Sequence, residues 1–384
     1  MTKVRLNYRM LFLLGLLAII AAREVAVELR PSFLRPGLHL FAYVGDMTDG
    51  TLTAIDLIRL AQAATIPVGA GPTGIRPHPT RKEIWGLSSA GGYAWILDAA
   101  SNQIVARIPV GAAPYALDFS PDGERAYVAA SGPSSVVAID ARSRRVIARG
   151  RAGRGAWIAH VSPDGKLVVV SNRDDGTVSI LDAATLESVG TVKTAPHPEQ
   201  IVILPDSAKA FVTSGTSDQI SVVDLKRQAL LTNLVLGGKA DDLILKPDGG
   251  ELYIPSSESH GLLIVNTQTN DVADFLLLGM SPTRGALAPN TGMLYVSDSA
   301  GGDVVPIAID SRQVLRPIPV GQAPATCRLV PGGDVLLVVD AGSHDLAVIR
   351  TKTAQPSAVL GPPQSPITLI PLGARPRDLA IKIF

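Results

Sequence analysis

The sequence contains a single cysteine, Cys327, among 384 residues. One cysteine excludes an intrachain disulfide, and it excludes the Cys-x-x-Cys-His motif that attaches haem covalently. The six histidines stand at neither His-x-His nor His-Glu-x-x-His spacing, so the sequence carries no zinc signature. Motifs therefore predict no metal, no cofactor and no catalytic residue, and they make an enzyme the less favoured interpretation.

An excess of charge of one sign is also missing. Lys plus Arg number 35 and Asp plus Glu number 34, which gives a formal net charge of +1. Without a basic field the chain is not expected to bind nucleic acid. Aromatic residues make up only 4%, whereas there are 36 glycines and 29 prolines. This composition is typical of many short strands joined by turns.

No apolar run is long enough to cross a bilayer comfortably. The longest run at the N-terminus, residues 10–22, follows the basic residues Lys3, Arg5 and Arg9. As a helix it would span about 20 Å at ~1.5 Å per residue, against a hydrocarbon core of roughly 30 Å. We therefore predict a signal peptide or signal anchor at 1–22 and export to the periplasm, the cell surface or the medium. Contact with a membrane is expected only through an uncleaved anchor.

The sequence does contain a turn that recurs at a fixed interval. Ser-Pro-Asp-Gly stands at 120–123 and again at 162–165, and Lys-Pro-Asp-Gly stands at 246–249. The turn prolines are spaced by 42 residues throughout, at positions 79, 121, 163, 205, 247, 289 and 331. A period of about 40 to 45 residues with strand-type patterning predicts a β-propeller.

The repeat also predicts the number of blades. Seven units have their own turn between the first strand (A) and the second strand (B) of a blade. The segment from His39 begins without a strand A, and Pro376 to Phe384 resembles a strand A with nothing after it. The sequence therefore predicts an all-β, eight-bladed propeller of four-stranded antiparallel blades at 39–384, closed by the N- and C-terminal strands in one blade. Seven blades is the alternative, and 23–38 is predicted to be a linker.

Three features together resemble the YVTN-repeat propellers. They are the Ser-Pro-Asp-Gly turns, the Val-Gly-x-x-Pro openings of strand A, and Tyr-Val pairs in strand B at Tyr43-Val44, Tyr127-Val128 and Tyr295-Val296. The resemblance covers essentially all of 39–384. Members of that family include exported proteins of unassigned role, surface-layer proteins and relatives of the haem d1 domain of denitrifying nitrite reductases. The resemblance thus implies a fold and leaves several functions open.

Two neighbouring positions near the start of strand A do not repeat from blade to blade. Scaffold positions recur, so variable positions beside the central channel are candidates for a binding site. An acidic arc there lies between an aromatic arc and a basic group. The predicted ligand-binding residues are Tyr115, Trp157, Glu199, Asp241, Asp242, Arg284 and Arg377.

A second candidate surface is a cluster of arginines on the outer part of one blade. It includes Arg142, Arg144, Arg145 and Arg149. A solvated outer edge is one interpretation, because charge blocks pairing of an exposed strand. The other is a patch that binds an anionic partner such as lipid headgroups or glycans.

These observations favour an exported, non-catalytic propeller that binds a protein partner or a small ligand at the channel mouth. One alternative is a haem-binding or redox propeller, for which His160 and His197 are the candidate ligands near the channel. A lactonase-like enzyme is a related alternative, with Glu199, Asp241 and Asp242 as the start of a metal site. A structural component of the cell envelope is the third.

Overall fold

The computed structural model of the protein describes residues 38–288, 290–351 and 365–384. These ranges form 33 β-strands in eight sheets and contain no α-helix. Accordingly, the described ranges have no helix that is long and apolar enough to span a membrane. The predicted signal segment and nearly all of the predicted linker lie outside the described residues. The prediction of an all-β propeller with eight blades is confirmed.

The first four blades are regular four-stranded antiparallel sheets. Blade 1 contains β1 (Leu40–Asp46), β2 (Thr51–Asp56), β3 (Ala61–Pro67) and β33 (Pro376–Ile383). Blade 2 contains β4 (Pro72–Pro77), β5 (Glu83–Ser88), β6 (Tyr93–Asp98) and β7 (Gln103–Pro109). Blade 3 contains β8 (Pro114–Phe119), β9 (Arg125–Ala130), β10 (Ser135–Asp140) and β11 (Arg145–Arg151). Blade 4 contains β12 (Ala156–Val161), β13 (Leu167–Asn172), β14 (Thr177–Asp182) and β15 (Ser188–Lys193).

The other four blades follow the same order, with two irregular strands. Blade 5 contains β16 (Pro198–Ile203), β17 (Lys209–Ser214), β18 (Gln219–Asp224) and β19 (Ala229–Val235). Blade 6 contains β20 (Ile244–Leu245), β21 (Glu251–Ser256), β22 (Gly261–Asn266) and β23 (Asp271–Leu277). Blade 7 contains β24 (Pro282–Ala288), β25 (Met293–Asp298), β26 (Asp303–Ala308), β27 (Gln313–Val314) and β28 (Ile318–Pro319). Blade 8 contains β29 (Pro324–Leu329), β30 (Val335–Asp340), β31 (Asp345–Arg350) and β32 (Thr368–Pro371).

The two irregular strands have local causes. Strand β20 is only two residues long, and just before it the Asp242 side chain accepts the Leu243 N–H at 3.0 Å. Such side-chain bonds compete with the strand ladder. In blade 7 the outer strand is divided into β27 and β28, and Pro317 and Pro319 stand at the division. Proline has no N–H to donate to a ladder.

The recurring turns connect strands A and B as predicted. In the turn at 120–123 the Asp122 carboxylate accepts the Glu124 N–H at 3.0 Å, and Gly123 has a φ of 73°. Asp164 and Asp248 accept the N–H two residues on, at 3.2 and 2.9 Å. The turn glycines therefore adopt the left-handed conformation that other residues rarely adopt.

The C-terminal strand closes the ring. Strand β33 pairs antiparallel with β1, with Leu40 opposite Ile383 and Val44 opposite Leu379. Leu379, Ile381 and Ile383 pack into the core between blades 1 and 8, whereas Ala380 and Phe384 pack between blades 1 and 2. Alternate residues of this strand therefore pack into the cores on its two sides. Inter-blade cores of this kind hold all eight sheets together and leave the inner strands around a central space.

Candidate functional site

The inner strands of all eight blades surround a cavity of about 990 Å³. The strand A segment of every blade contributes residues, from the end near the D–A and B–C loops as far as the fifth residue of the strand at Arg76, His160 and Arg328. Six of the seven predicted site residues line this cavity: Tyr115, Trp157, Glu199, Asp242, Arg284 and Arg377. Their role in binding stays a prediction.

Asp241 is the predicted residue that does not line the cavity. Its carboxylate Oδ2 accepts the backbone N–H of Ser257 at 2.6 Å, in the B–C hairpin of the same blade. Its carbonyl oxygen accepts hydrogen bonds from Gln200 Nε2 (3.0 Å) and Arg284 Nη1 (2.9 Å). Asp241 therefore positions its neighbours and holds the loop rather than presenting a free carboxylate.

The aromatic arc forms a closed stack. The rings of Tyr115 and Trp157 lie with their centroids 3.3 Å apart and their planes 19° from parallel. The Arg173 guanidinium lies 4.0 Å from the centre of the Trp157 ring. Groups this close must cover opposite faces of the indole. Trp157 therefore presents only its edge to the cavity, and the outer face of Tyr115 is the aromatic face left for a planar ligand.

Arg173 also belongs to a charged cluster. Its Nη2 contacts Glu199 Oε1 at 2.6 Å, and its Nε approaches His197 Nδ1 at 3.3 Å. His197 is not among the residues that line the cavity. Glu199 is therefore neutralised by an arginine, and His197 is held in this cluster rather than beside His160.

His160 is the histidine that lines the cavity. Its Nδ1 lies 3.0 Å from Asp118 Oδ2, and the same oxygen accepts the Val161 N–H at 3.0 Å. Burial alone would raise the pKa of Asp118, but the bond to His160 lowers it, so the carboxylate stays ionised. An ionised carboxylate beside Nδ1 favours the tautomer with its proton on Nδ1. The Nε2 lone pair of His160 is then available, as in histidines that bind metals.

The sequence prediction missed two strand A arginines that line the cavity. Arg76 and Arg328 lie in strands A of blades 2 and 8. Together with Arg173 and Arg375, they add four arginines to the predicted set. The signal was present in the sequence, because the position that holds Arg76 and Arg328 is Asp118 in blade 3 and His160 in blade 4. This position varies as strongly as the two that were selected.

The lining of the cavity is positively charged overall. Its arginines are Arg76, Arg173, Arg284, Arg328, Arg375 and Arg377, and its acidic residues are Glu199, Asp242 and Asp378. Six cations against three anions leave a formal excess of +3 in a chain whose total is +1. Such a cavity favours an anionic ligand.

The acidic residues do not converge on a metal site. Asp242 contacts Arg284 Nη1 at 3.4 Å and accepts the Gly285 N–H at 3.1 Å. Among the described residues no group of three His, Cys, Asp or Glu side chains is placed to hold a metal ion. The lactonase-like alternative, which required Glu199, Asp241 and Asp242 to converge, therefore has no support in this geometry.

The arginine cluster of blade 3 is partly used within the propeller. Arg144 forms an ion pair with Glu83 at 2.9 Å, and Arg149 donates to the Val110 carbonyl at 3.0 Å. Arg142 lies 3.9 Å from Glu124 and is otherwise exposed. These contacts hold neighbouring blades together. Binding of an anionic surface by the cluster stays a prediction.

Comparisons with known proteins point to haem-binding propellers. Residues 87–234 match a family model described as the cytochrome D1 heme domain. The dihydro-heme d1 dehydrogenase NirN in complex with DHE is similar in structure, with 15% identity and a TM-score of 0.72, over 88% of this chain and 74% of that one. Kuenenia stuttgartiensis hydrazine synthase is similar with 19% identity and a TM-score of 0.59, over 73% of this chain and 96% of that one. A search among curated proteins found no match.

These matches correct the functional prediction. At such low identities the two structures show the fold, whereas the family model is that of a haem domain. The prediction of a non-catalytic binding scaffold is therefore wrong, whereas the coarser prediction of a small-molecule ligand agrees with a haem domain. The alternative of a haem-binding or redox propeller agrees better with the match. The error arose because the sequence contains no covalent haem motif, and a haem held without covalent attachment needs none.

Proposed function

We propose that this chain is a redox propeller that binds a tetrapyrrole of the haem d1 type in the central cavity. The observation that carries the proposal is His160, which lines the cavity while Asp118 engages its Nδ1 at 3.0 Å. A histidine oriented by a carboxylate is the usual protein ligand to a metal centre. The match of residues 87–234 to a haem domain supports the same conclusion.

The chemistry of the lining fits such a group. A tetrapyrrole is planar, carries carboxylates at its edge and holds iron at its centre. The outer face of Tyr115 offers a surface for stacking, and the excess of three positive charges offers partners for carboxylates. The cavity of about 990 Å³ lies within the upper range of ligand pockets, roughly 300–1,000 Å³.

Each of these residues has a distinct role in the proposal. His160 would bind the metal of the group through Nε2, and Asp118 would hold the imidazole in the tautomer and orientation that this requires. Tyr115, supported from behind by Trp157 and Arg173, would limit the tilt of the ring. When bound, the iron would supply one-electron redox chemistry, which the protein tunes through its ligand and the polarity of the cavity.

The repeat family and the location belong to the same proposal. The Tyr-Val pairs and Ser-Pro-Asp-Gly turns support a relation to the YVTN-repeat propellers, among which relatives of haem d1 domains occur. The basic and apolar N-terminal segment supports export. The finer family and the compartment are inferred from sequence alone.

A titration of the purified protein with haem d1 tests the proposal. We expect a saturable change of the visible absorption spectrum at one equivalent. His160→Ala should abolish the spectrum of the ligated iron or weaken binding by at least about tenfold, because a coordinate bond is lost. His197→Ala is the matched control, since this histidine lies outside the cavity lining. A spectrum that is unchanged in His160→Ala, or no binding to the folded wild type, would contradict the proposal.

A further inference from the structure

Arg76 and Arg328 occupy equivalent positions on either side of blade 1. Arg76 stands opposite Trp85 in the ladder of blade 2, and Arg328 stands opposite Leu337 in that of blade 8. The equivalent residue of blade 1, between them, is Ala380, which stands opposite Tyr43. Ala380 packs into the core between blades 1 and 2, whereas Arg76 and Arg328 line the cavity on either side of it.

The two arginines influence each other inside the cavity. Arg328 is exposed to the solvent of the cavity. The protein that surrounds the cavity lowers the pKa of its guanidinium through partial desolvation, and the positive charge of Arg76 lowers that pKa further. Like charges placed together in a partly desolvated cavity destabilise one another unless an anion lies between them.

Few of their hydrogen-bond donors are used. A guanidinium carries five N–H donors. Arg76 donates from Nη1 to the Ile75 carbonyl at 3.2 Å, and Arg328 has no hydrogen-bond partner in the described part of the chain. Neither arginine forms an ion pair with a described carboxylate, although both line the cavity.

The nearest carboxylates are already occupied. Asp378 accepts the N–H groups of Ile75 and Leu379, each at 2.9 Å. Asp118 is shared by His160 and the Val161 N–H, both at 3.0 Å. These carboxylates moderate the local charge without filling the space between the guanidinium groups.

We propose that Arg76 and Arg328 together bind a carboxylate or a small oxoanion within the cavity. The forked donors of two guanidinium groups match the paired oxygens of such an anion. The anion is either a carboxylate of the bound tetrapyrrole or a free small anion. The first of these rests on the proposed function, which it deepens. His160 lies in blade 4, separated from Arg76 in blade 2 by blade 3, so an iron ligand and an anion site serve one cavity from different sides.

Binding of inorganic phosphate to the protein without tetrapyrrole tests the site itself. At constant ionic strength we expect phosphate to raise the melting temperature of the wild type in a saturable manner. Arg328→Gln and Arg76→Gln should weaken binding by about tenfold or more, because each removes charge-assisted hydrogen bonds. Arg328→Lys keeps the charge without the fork and should give an intermediate affinity. Arg59→Gln is the matched control on the outer surface, where the side chain is 84% exposed.

A second arm identifies the source of the anion. Ferric protoporphyrin IX and its dimethyl ester differ only in their free carboxylates. If the site holds a carboxylate of the macrocycle, the wild type should bind the acid about tenfold more tightly than the ester. Arg328→Gln should remove this difference in affinity, and phosphate should compete with the acid for binding. If the anion is free, acid and ester should bind equally and phosphate should bind alongside them.

The outcomes separate this inference from the proposed function. Equal phosphate affinity of the wild type and both glutamine variants, with no difference between acid and ester, would overturn the anion site while tetrapyrrole binding stands. Phosphate binding that depends on Arg76 and Arg328, in a protein that binds no tetrapyrrole, would overturn the proposed function and leave the anion site. A cooperative melt of each variant shows that it is folded.

Discussion

Two aspartates face each other across the hairpin between strands B and C of blade 8. Asp340 stands directly opposite Asp345 in blade 8, and Asp340 is fully buried. Asp340 Oδ2 accepts the Gly321 N–H at 3.0 Å, whereas Oδ1 of both aspartates has no partner in the described residues. Burial raises the pKa of Asp340 to about 8, and Asp345 contributes to the increase. Folding therefore favours the protonated form of Asp340.

This pair predicts that stability falls as the pH rises. The unfolded Asp340 ionises near its ordinary pKa of roughly 3.9, whereas the folded one keeps its proton up to about 8. The folded state then binds more protons than the unfolded state between these values, so the free energy of unfolding decreases across that window and levels off above it.

Denaturant unfolding at pH 5, 6, 7 and 8 measures this effect. Asp340→Asn, which is neutral at every pH, should remove this part of the pH dependence and should leave a flatter profile. Asp49→Asn, an exposed aspartate, is the control and should follow the wild type. Parallel profiles for the wild type and Asp340→Asn would show that the pair does not hold a proton.

Six of the seven predicted site residues line the cavity, and a backbone irregularity explains why Arg76 and Arg328 were missed. Strict alternation places residues 73 and 76 on opposite faces of a strand. In β4 the register shifts between Thr73 and Arg76, so a bulge turns both toward the cavity. Related shifts in β8, β12, β16, β24 and β29 allow several positions of each strand to line one cavity. The variability of position 76 was visible in the sequence, but strict alternation assigns it to the other face of the strand, so Arg76 and Arg328 were not selected.

At the scale of the element, the Asp-Gly turns fix the connection between strands A and B. Gly165 has a φ of 73°, and a Cβ there would meet Pro121 Cδ at 3.4 Å, which is an ordinary contact. The cost of a substitution therefore comes from the backbone conformation and not from a clash. A left-handed conformation costs a non-glycine residue about 1–2 kcal/mol.

Two alanine substitutions in the turns make this cost measurable. Gly165→Ala should lower the free energy of unfolding by about 1 kcal/mol, because alanine must adopt the left-handed conformation. Gly250→Ala, in a neighbouring turn position without a positive φ, should change it by less than about 0.5 kcal/mol. Chemical denaturation gives both values. Equal effects of the two substitutions would show that the conformation of the turn glycine does not matter.

The regular spacing of these turns made most strand positions predictable, and the prediction failed in two blades. The period of 42 residues locates every A–B turn, and strand B begins a few residues after each described turn. Blades 6 and 7 depart from it at β20 and at β27 and β28, where aspartates or prolines replace ladder hydrogen bonds. Repeat patterns average over such local substitutions and therefore do not reveal them.

At the scale of the whole molecule, one long-range pairing completes the ring. Strand β33 joins residues more than 330 positions apart in sequence, such as Val44 and Leu379. The entropic cost of closing such a long loop grows slowly with its length, by about 0.6 kcal/mol per doubling. Each large apolar side chain that becomes fully buried contributes roughly 1.5–3 kcal/mol in return. Leu379, Ile381 and Ile383 all pack into the core between blades 1 and 8.

Removal of residues 377–384 should therefore destroy the cooperative fold. The truncated chain would expose the edge of β1 and an apolar flank, and we expect it to aggregate or to lose its sharp thermal transition. Leu379→Met, which conserves volume, is the control and should melt cooperatively. A soluble truncation with a wild-type melting curve would mean that the ring does not depend on β33.

The ring was predictable from the sequence because its repeat is a property of the scaffold, whereas the ligand was not. Scaffold residues recur every 42 positions, but His160 and its partner Asp118 occur once each and in different blades. The sequence offers both His160 and His197 as candidate ligands. Only the fold separates them, because it places His160 in the cavity lining beside Asp118 and His197 beside Arg173.

A crystal structure of the full chain with haem d1 bound tests the central claim most directly. We predict a planar group within the cavity formed by the eight inner strands, with its iron coordinated by His160 Nε2 and its carboxylates near the lining arginines. A group bound outside the ring of inner strands, or a His160 imidazole that makes no contact with the iron, would contradict the claim.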